Sequence, residues 1–266
     1  DLILATKITG KGFKSIRNGS PISASNLRTA LEGSLKRLQT DYIDLYQLHW
    51  ANRGSYHFRQ NWNYNPTGQE TYKELDDIFN ILNELNNFVK EGKIRTIGLS
   101  NETAWGTIQF TKIAKENSFP KIVSIQNEYS LMCRHFDLDL AEVCHHEKIG
   151  LLSFSPLACG ILSGKYLNNK VPVNSRKSIY KDLGNRVNGK ASNAAYEYLK
   201  VANKHNIDPC QMALSFCLHN PLMTSVIFGS TNENQLLNSI NSINVNFTNE
   251  LRSTINNVYR RHPLPF

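Results

Sequence analysis

The sequence predicts an α/β fold and, within that class, a (β/α)8 TIM barrel of which about six βα units are present. Short apolar or β-branched runs alternate with longer helical patterns along the whole chain. Each run is nearly continuous in apolar residues, as in parallel strands buried on both faces. An open doubly wound sheet would carry a G-x-G-x-x-G turn after its first strand. Gly10-Lys11-Gly12 offers only part of that pattern, three residues past the strand, and opens no helix directly.

In chain order, the first strand is the apolar run Leu2–Thr6, closed by Lys7, and helical spacing follows over Ser25–Leu38. Strand Tyr42–Leu48 leads to His49-Trp50, and helix Thr71–Lys90 to strand Ile94–Leu99 through the turn at Gly92. Helix Glu102–Glu116, strand Ile122–Gln126, helix Leu138–His146 and strand Leu151–Ser155 continue the rhythm. Helices Ala191–His205 and Pro209–His219 come next, the second opened by an acidic cap and a first-turn proline at Asp208-Pro209. Strand Ser225–Phe228 and helix Asn232–Ile243 close the series. Two long loops, 50–70 and 157–190, interrupt it, and loops of that length usually carry function. A closed barrel needs eight strands, and a βα unit takes about 30 residues. Because the chain begins inside a strand, two units, on the order of 60 residues, are expected to be missing from its front. Residues 1–266 then form a single, N-terminally incomplete barrel domain.

Hydrophobic residues make up 40% and charged residues 20%, as in ordinary globular proteins. No apolar run approaches the roughly 18 residues needed to span a membrane. The five cysteines, Cys133, Cys144, Cys159, Cys210 and Cys217, form no C-x-x-C pair and are odd in number. That favours reduced thiols in the cytoplasm over a disulfide frame or a metal site. The net charge of +8 is spread along the chain without a basic run, so an anionic small ligand or a solvated surface explains it and nucleic acid is not expected.

Ligand-binding groups of a parallel α/β protein sit at the carboxyl ends of its strands. Lys7, His49, Ser100-Asn101, Gln126, Ser155 and Gly229 occupy those ends. Lys7 either points into the barrel mouth or reaches for water, and Asn101 either faces a polar ligand or caps the helix after it. Gly229-Ser230-Thr231 joins the last strand to a helix, where free N–H groups and the helix dipole would face an anion; Thr231 is a cap in the same reading. Trp50, Tyr56, Phe58, Trp62 and Tyr64 either line an apolar pocket or pack among themselves.

Asp41-Tyr42-Ile43-Asp44-Leu45 leading to His49-Trp50, and Gly92-Lys93-Ile94-Arg95 leading to Gly98-Leu99-Ser100-Asn101, resemble the aldo-keto reductase superfamily. So do Ile125-Gln126-Asn127, Ser153-Phe154-Ser155-Pro156-Leu157, Leu162-Ser163-Gly164-Lys165-Tyr166, and Val226 to Thr231 followed by Gln235-Leu236. The likeness is greatest to the branch holding bacterial NADP(H)-dependent reductases and potassium-channel β subunits. It implies reduction of aldehydes and ketones with NADPH, or an NADPH-binding regulatory protein with little turnover. Lys7 matches the family's catalytic lysine and His49 the histidine that orients the carbonyl. Ser100, Asn101 and Gln126 match the carboxamide-binding positions, and Phe154 the ring stacked on the nicotinamide. Ser155 and Leu157 match the pyrophosphate-side loop. Lys165, Gly229, Ser230, Thr231 and Gln235 match the region of the adenosine 2′-phosphate, and Trp50 lies beside the substrate. Asn238-Ser239 departs from the family's pattern at the adenine. The resemblance also implies an aspartate and a proton-donating tyrosine that no position of this sequence matches, so residues 1–266 alone are expected to be inactive.

Overall fold

The computed structural model describes residues 2–266; Asp1, the first residue of the expected domain, lies outside them. Two compact units emerge, one reaching to Asn127 and adding Asp139–Gly150, the other comprising Glu128–Leu138 and Leu151–Phe266.

The first unit is built on β1 (Ala5–Ile8), β2 (Ile43–Leu48), β3 (Ile94–Ser100) and β4 (Ile122–Glu128), paired in parallel in sequence order. A doubly wound sheet would reverse that order between neighbouring strands, and no reversal occurs here. Helices α1 (Ala24–Leu38), α2 (Thr71–Lys90), α3 (Ala104–Glu116) and α4 (Asp139–Glu147) connect or follow the strands. β2 is buried at every residue, the polar Asp44 and Gln47 included, which explains its largely apolar pattern. Leu27 and Leu31 of α1, and Leu82, Leu85 and Phe88 of α2, are fully buried one helical turn apart.

The first strand starts three residues later and ends two residues later than the sequence suggests. Leu2 and Ile3 are 94% and 76% exposed, while pairing with β2 carries the strand through Lys7 to Ile8. Its start is fixed by Asp44, whose carboxylate accepts from the Leu4 N–H at 2.9 Å. Apolar content cannot show where a neighbour's ladder begins.

The second unit holds β5 (Gly150–Phe154) and β6 (Met223–Val226), also parallel. Around them lie α5 (Arg176–Ile179), α6 (Gly189–Lys204), α7 (Pro209–Leu218), α8 (Glu233–Ile240) and α9 (Asn249–Arg261). β6 starts two residues before the expected Ser225, because Leu151 pairs with Met223. Helix α9 was not expected. It is polar except for a buried stripe of Leu251, Ile255 and Val258, and Thr248 caps it by accepting from Leu251 N–H at 3.2 Å. Six strands in parallel pairs, alternating with helices, make an α/β fold consistent with part of a (β/α)8 barrel. No helix among the described residues is long and apolar enough to cross a membrane.

Candidate functional site

In the first unit, the strand register sets Lys7 beside Gln47, Gln47 beside Gly98, and Ser100 beside Gln126. His49 follows β2 directly, its N–H donating to Ile8 O at 2.8 Å. Asn101 ties three strand ends together. Its N–H donates to Gln126 O (3.1 Å), and its side-chain Nδ2 donates to His49 O (3.0 Å) and Ser100 Oγ (3.1 Å). Ser100 Oγ in turn donates to Gln126 O at 2.8 Å. Of the two roles open to Asn101, capping is excluded: Thr103 caps α3, accepting from Gly106 N–H at 3.3 Å.

These bonds leave Asn101 Oδ1 and Gln126 Oε1 without partners, in side chains only 1% and 8% exposed. A buried acceptor without a donor costs about 1–3 kcal/mol. Two of them at adjoining strand ends suit a ligand that brings N–H donors. Gln47 of β2, two residues before His49, and Ser124 of β4, two before Gln126, also bury polar atoms without partners. A Cβ on Gly98, between them, would lie 2.6 Å from Ser124 Oγ, so this position tolerates only hydrogen. Gln47 and Ser124 escaped the sequence reading, although each is a polar residue at an alternate position of an apolar strand, in step with His49 and Gln126.

The electrostatics separate the two titratable groups. Burial, and secondly the Lys7 charge, hold the His49 imidazole down to about 4. Burial also lowers Lys7. His49 is therefore uncharged at neutral pH, with one N–H able to donate and one nitrogen able to accept.

The Trp50 ring lies 4.7 Å from His49, 5.2 Å from Phe13 and edge-on to Phe58 at 5.7 Å. Its Nε1 donates to Lys11 O at 3.0 Å. Tyr56 packs edge-on to Tyr64 at 6.1 Å, while Trp62 is exposed. The loop aromatics thus pack in part against one another, with Trp50 alone of them adjoining His49 in sequence.

The segment after Trp50 holds Asn101 and Glu102 through residues that the motifs did not mark. Arg53 pairs with the Glu102 carboxylate through both terminal nitrogens; the side chains are 4% and 3% exposed. The guanidinium also lies 5.0 Å over the Trp105 ring. Ser55 Oγ donates to Asn101 O at 3.1 Å. His57 Nε2 and Asn127 Nδ2 donate to Glu102 O at 3.0 and 3.2 Å.

In the second unit, Phe154 ends β5 and the chain enters a run of left-handed residues: Ser155 (φ 54°), Ala158 (47°), Cys159 (57°) and Gly160 (92°). Ala158 N–H donates to Ser155 O and Gly160 N–H to Leu157 O, each at 2.8 Å. Lys165 folds back over Gly160, its Nζ 5.2 Å from the Tyr166 ring centroid. After β6, Gly229-Ser230-Thr231 leads into α8, whose cap is Asn232 rather than Thr231: Asn232 Oδ1 accepts from Gln235 N–H at 3.0 Å. Thr231 instead donates its N–H and Oγ1–H to Gln235 Oε1, both at 3.1 Å. Ser230 Oγ is buried without a partner. Asn238 is committed at both ends, donating to Asp208 (2.9 Å) and accepting from Gln211 (2.6 Å) at the start of α7. Among the described residues no cluster of three side chains could hold a metal ion.

Parallel strands alternating with helices, with polar groups gathered toward their carboxyl ends, are the arrangement of an α/β protein of the barrel class. A family model described as the aldo/keto reductase family matches residues 1–260. Protein tas of Escherichia coli is 37% identical over 272 residues, covering 99% of this chain and 76% of that protein. An aldo-keto reductase of Babesia bovis is 33% identical over 252 residues, 90% of this chain and 88% of its own. The uncharacterized oxidoreductase YrpG of Bacillus subtilis is 27% identical over 264 residues, 97% and 72% respectively. The chain belongs to the aldo/keto reductase family and is an oxidoreductase; members of this family generally use NAD(P)H.

Proposed function

We propose that this protein reduces small aldehydes and ketones to alcohols, with NADPH as its reductant. The observation that carries the reading is the pair of buried, unpartnered acceptors, Asn101 Oδ1 and Gln126 Oε1, with an uncharged histidine at the carboxyl end of the neighbouring strand β2. A nicotinamide carboxamide offers the N–H donors those acceptors lack, so the residues present fit the cofactor. When bound, it supplies the hydride.

The chain's own residues do the rest. Neutral His49 donates its N–H to the substrate carbonyl oxygen, orienting the carbonyl and stabilising charge as it develops there. Lys7 places a positive charge at the neighbouring strand end. Trp50 bounds the substrate. In the second unit, Phe154 supplies an aromatic face for the nicotinamide. The turn with Ser155 and Leu157, together with Lys165, serves the pyrophosphate. Gly229, Ser230, Thr231 and Gln235 serve the 2′-phosphate, with the unpartnered Ser230 hydroxyl as a donor. Five free thiols fit a reducing, cytoplasmic location.

A second reading, a protein that binds NADPH but turns over little, is favoured by one observation. Burial alone is the cause of the Lys7 shift, with no carboxylate among the described residues set against it. The test is NADPH oxidation with a panel of aldehydes and ketones, using the protein as the cell makes it. His49→Ala should lower kcat by about 10²-fold or more while leaving NADPH affinity nearly intact. An equal loss of cofactor affinity would make His49 a packing residue, and NADPH binding without any turnover would favour the second reading.

A further inference from the structure

We propose that Arg53, Ser55 and His57 are positioning residues, which hold the Asn101–Glu102 backbone so that Asn101 Oδ1 and Gln126 Oε1 face an incoming amide as one paired acceptor. The inference rests on the cofactor reading and extends it to residues that touch neither cofactor nor substrate.

Asn101 is a non-glycine residue at φ 50°, in the left-handed region that side chains disfavour. A backbone of that kind keeps its shape only if its surroundings hold it. Here both peptide carbonyls are held. Asn101 O accepts from Ser55, and Glu102 O accepts from His57 and Asn127. Ser55 is itself fixed, its Oγ accepting from His57 N–H at 3.3 Å. The Glu102 carboxylate is anchored by Arg53 and by Thr103 N–H at 2.6 Å.

The ion pair lies directly on Gly106, where any Cβ would collide with Arg53 Nη2 and Glu102 Oε1. With the backbone held, the Asn101 amide has one orientation that satisfies Nδ2 on His49 O and Ser100 Oγ. Its Oδ1 is then the atom left for a ligand. The holding segment lies between Trp50 and Phe58, whose rings are in contact. The loop beside His49 and the amide acceptors are therefore one mechanical element.

The test measures dissociation constants for three probes: NADPH, its acetylpyridine analogue (methyl in place of the amide NH2), and the adenosine 2′,5′-bisphosphate fragment. Ser55→Ala and His57→Leu should weaken NADPH about three- to tenfold. Binding of the analogue and the fragment should stay within about twofold of the unsubstituted protein. His57→Gln, which keeps an amide donor, should recover part of the loss. Because truncating Arg53 would leave a buried carboxylate unpaired and threaten folding, the two milder variants carry the test, with thermal unfolding confirming that they fold. Variants that weaken all three probes alike, or none, overturn the positioning role. If the unsubstituted protein binds NADPH and the analogue equally well, the amide-acceptor reading itself fails, and the positioning role with it.

Discussion

His49 is neutral because its ring is mostly buried beside the Lys7 ammonium, and that has a consequence for stability. The unfolded chain protonates this histidine below about pH 6.5, the folded protein only below about 4. Between those values the unfolded state binds the extra proton, so stability falls as the pH is lowered through that window and rises with pH across it. After discounting for residual exposure, the loss attributable to His49 is on the order of 1–2 kcal/mol. Denaturant titrations at stepped pH should show this acid slope in the native protein and a shallower one in His49→Gln. Identical slopes would mean that His49 titrates normally in the fold. His49, Lys7, Asn101 and Gln126 were legible as strand-end residues, and the aldo-keto reductase motifs marked them. Arg53, Ser55 and His57 were not, because their partners lie 45 to 49 residues away in sequence and no local spacing announces such a contact.

At the scale of elements, helix interiors were easier to read than helix ends. Thr71–Lys90 matches its periodicity to the residue, and Asp208-Pro209 starts α7 as its composition suggests. Asp208 accepts from the N–H groups of Cys210 (2.8 Å) and Gln211 (3.1 Å) and from Asn238. Asp208→Ala should therefore cost about 1–2 kcal/mol. Thr231→Ala should cost less, because Asn232 is the actual cap of α8. Chemical denaturation of the two variants checks the order, and a reversed order would restore Thr231 as the cap. Asn101 and Thr231 were both plausible caps because several capping residues stand in a row at each site. Which one caps is decided by where the helical turn closes. The shift of β1 has a similar origin, since pairing with β2 sets a strand's limits and hydrophobicity does not.

For the whole molecule, the alternation of strand and helix was enough to assign an α/β class, and six motifs in order were enough to indicate the family. Helix α9 escaped notice although Leu251, Ile255 and Val258 keep helical spacing, four and three residues apart, because those three stand in an otherwise strongly polar stretch. The central claim is that NADP(H) binds at the strand ends, its carboxamide on Asn101 and Gln126 and its 2′-phosphate near Ser230. Dissociation constants for NADPH and NADH, measured side by side by isothermal titration, test it most directly. One additional charge-assisted hydrogen bond contributes about 1.5–3 kcal/mol, so NADPH should bind roughly ten- to a hundredfold more tightly than NADH. Equal constants, or no binding of either cofactor, would contradict it.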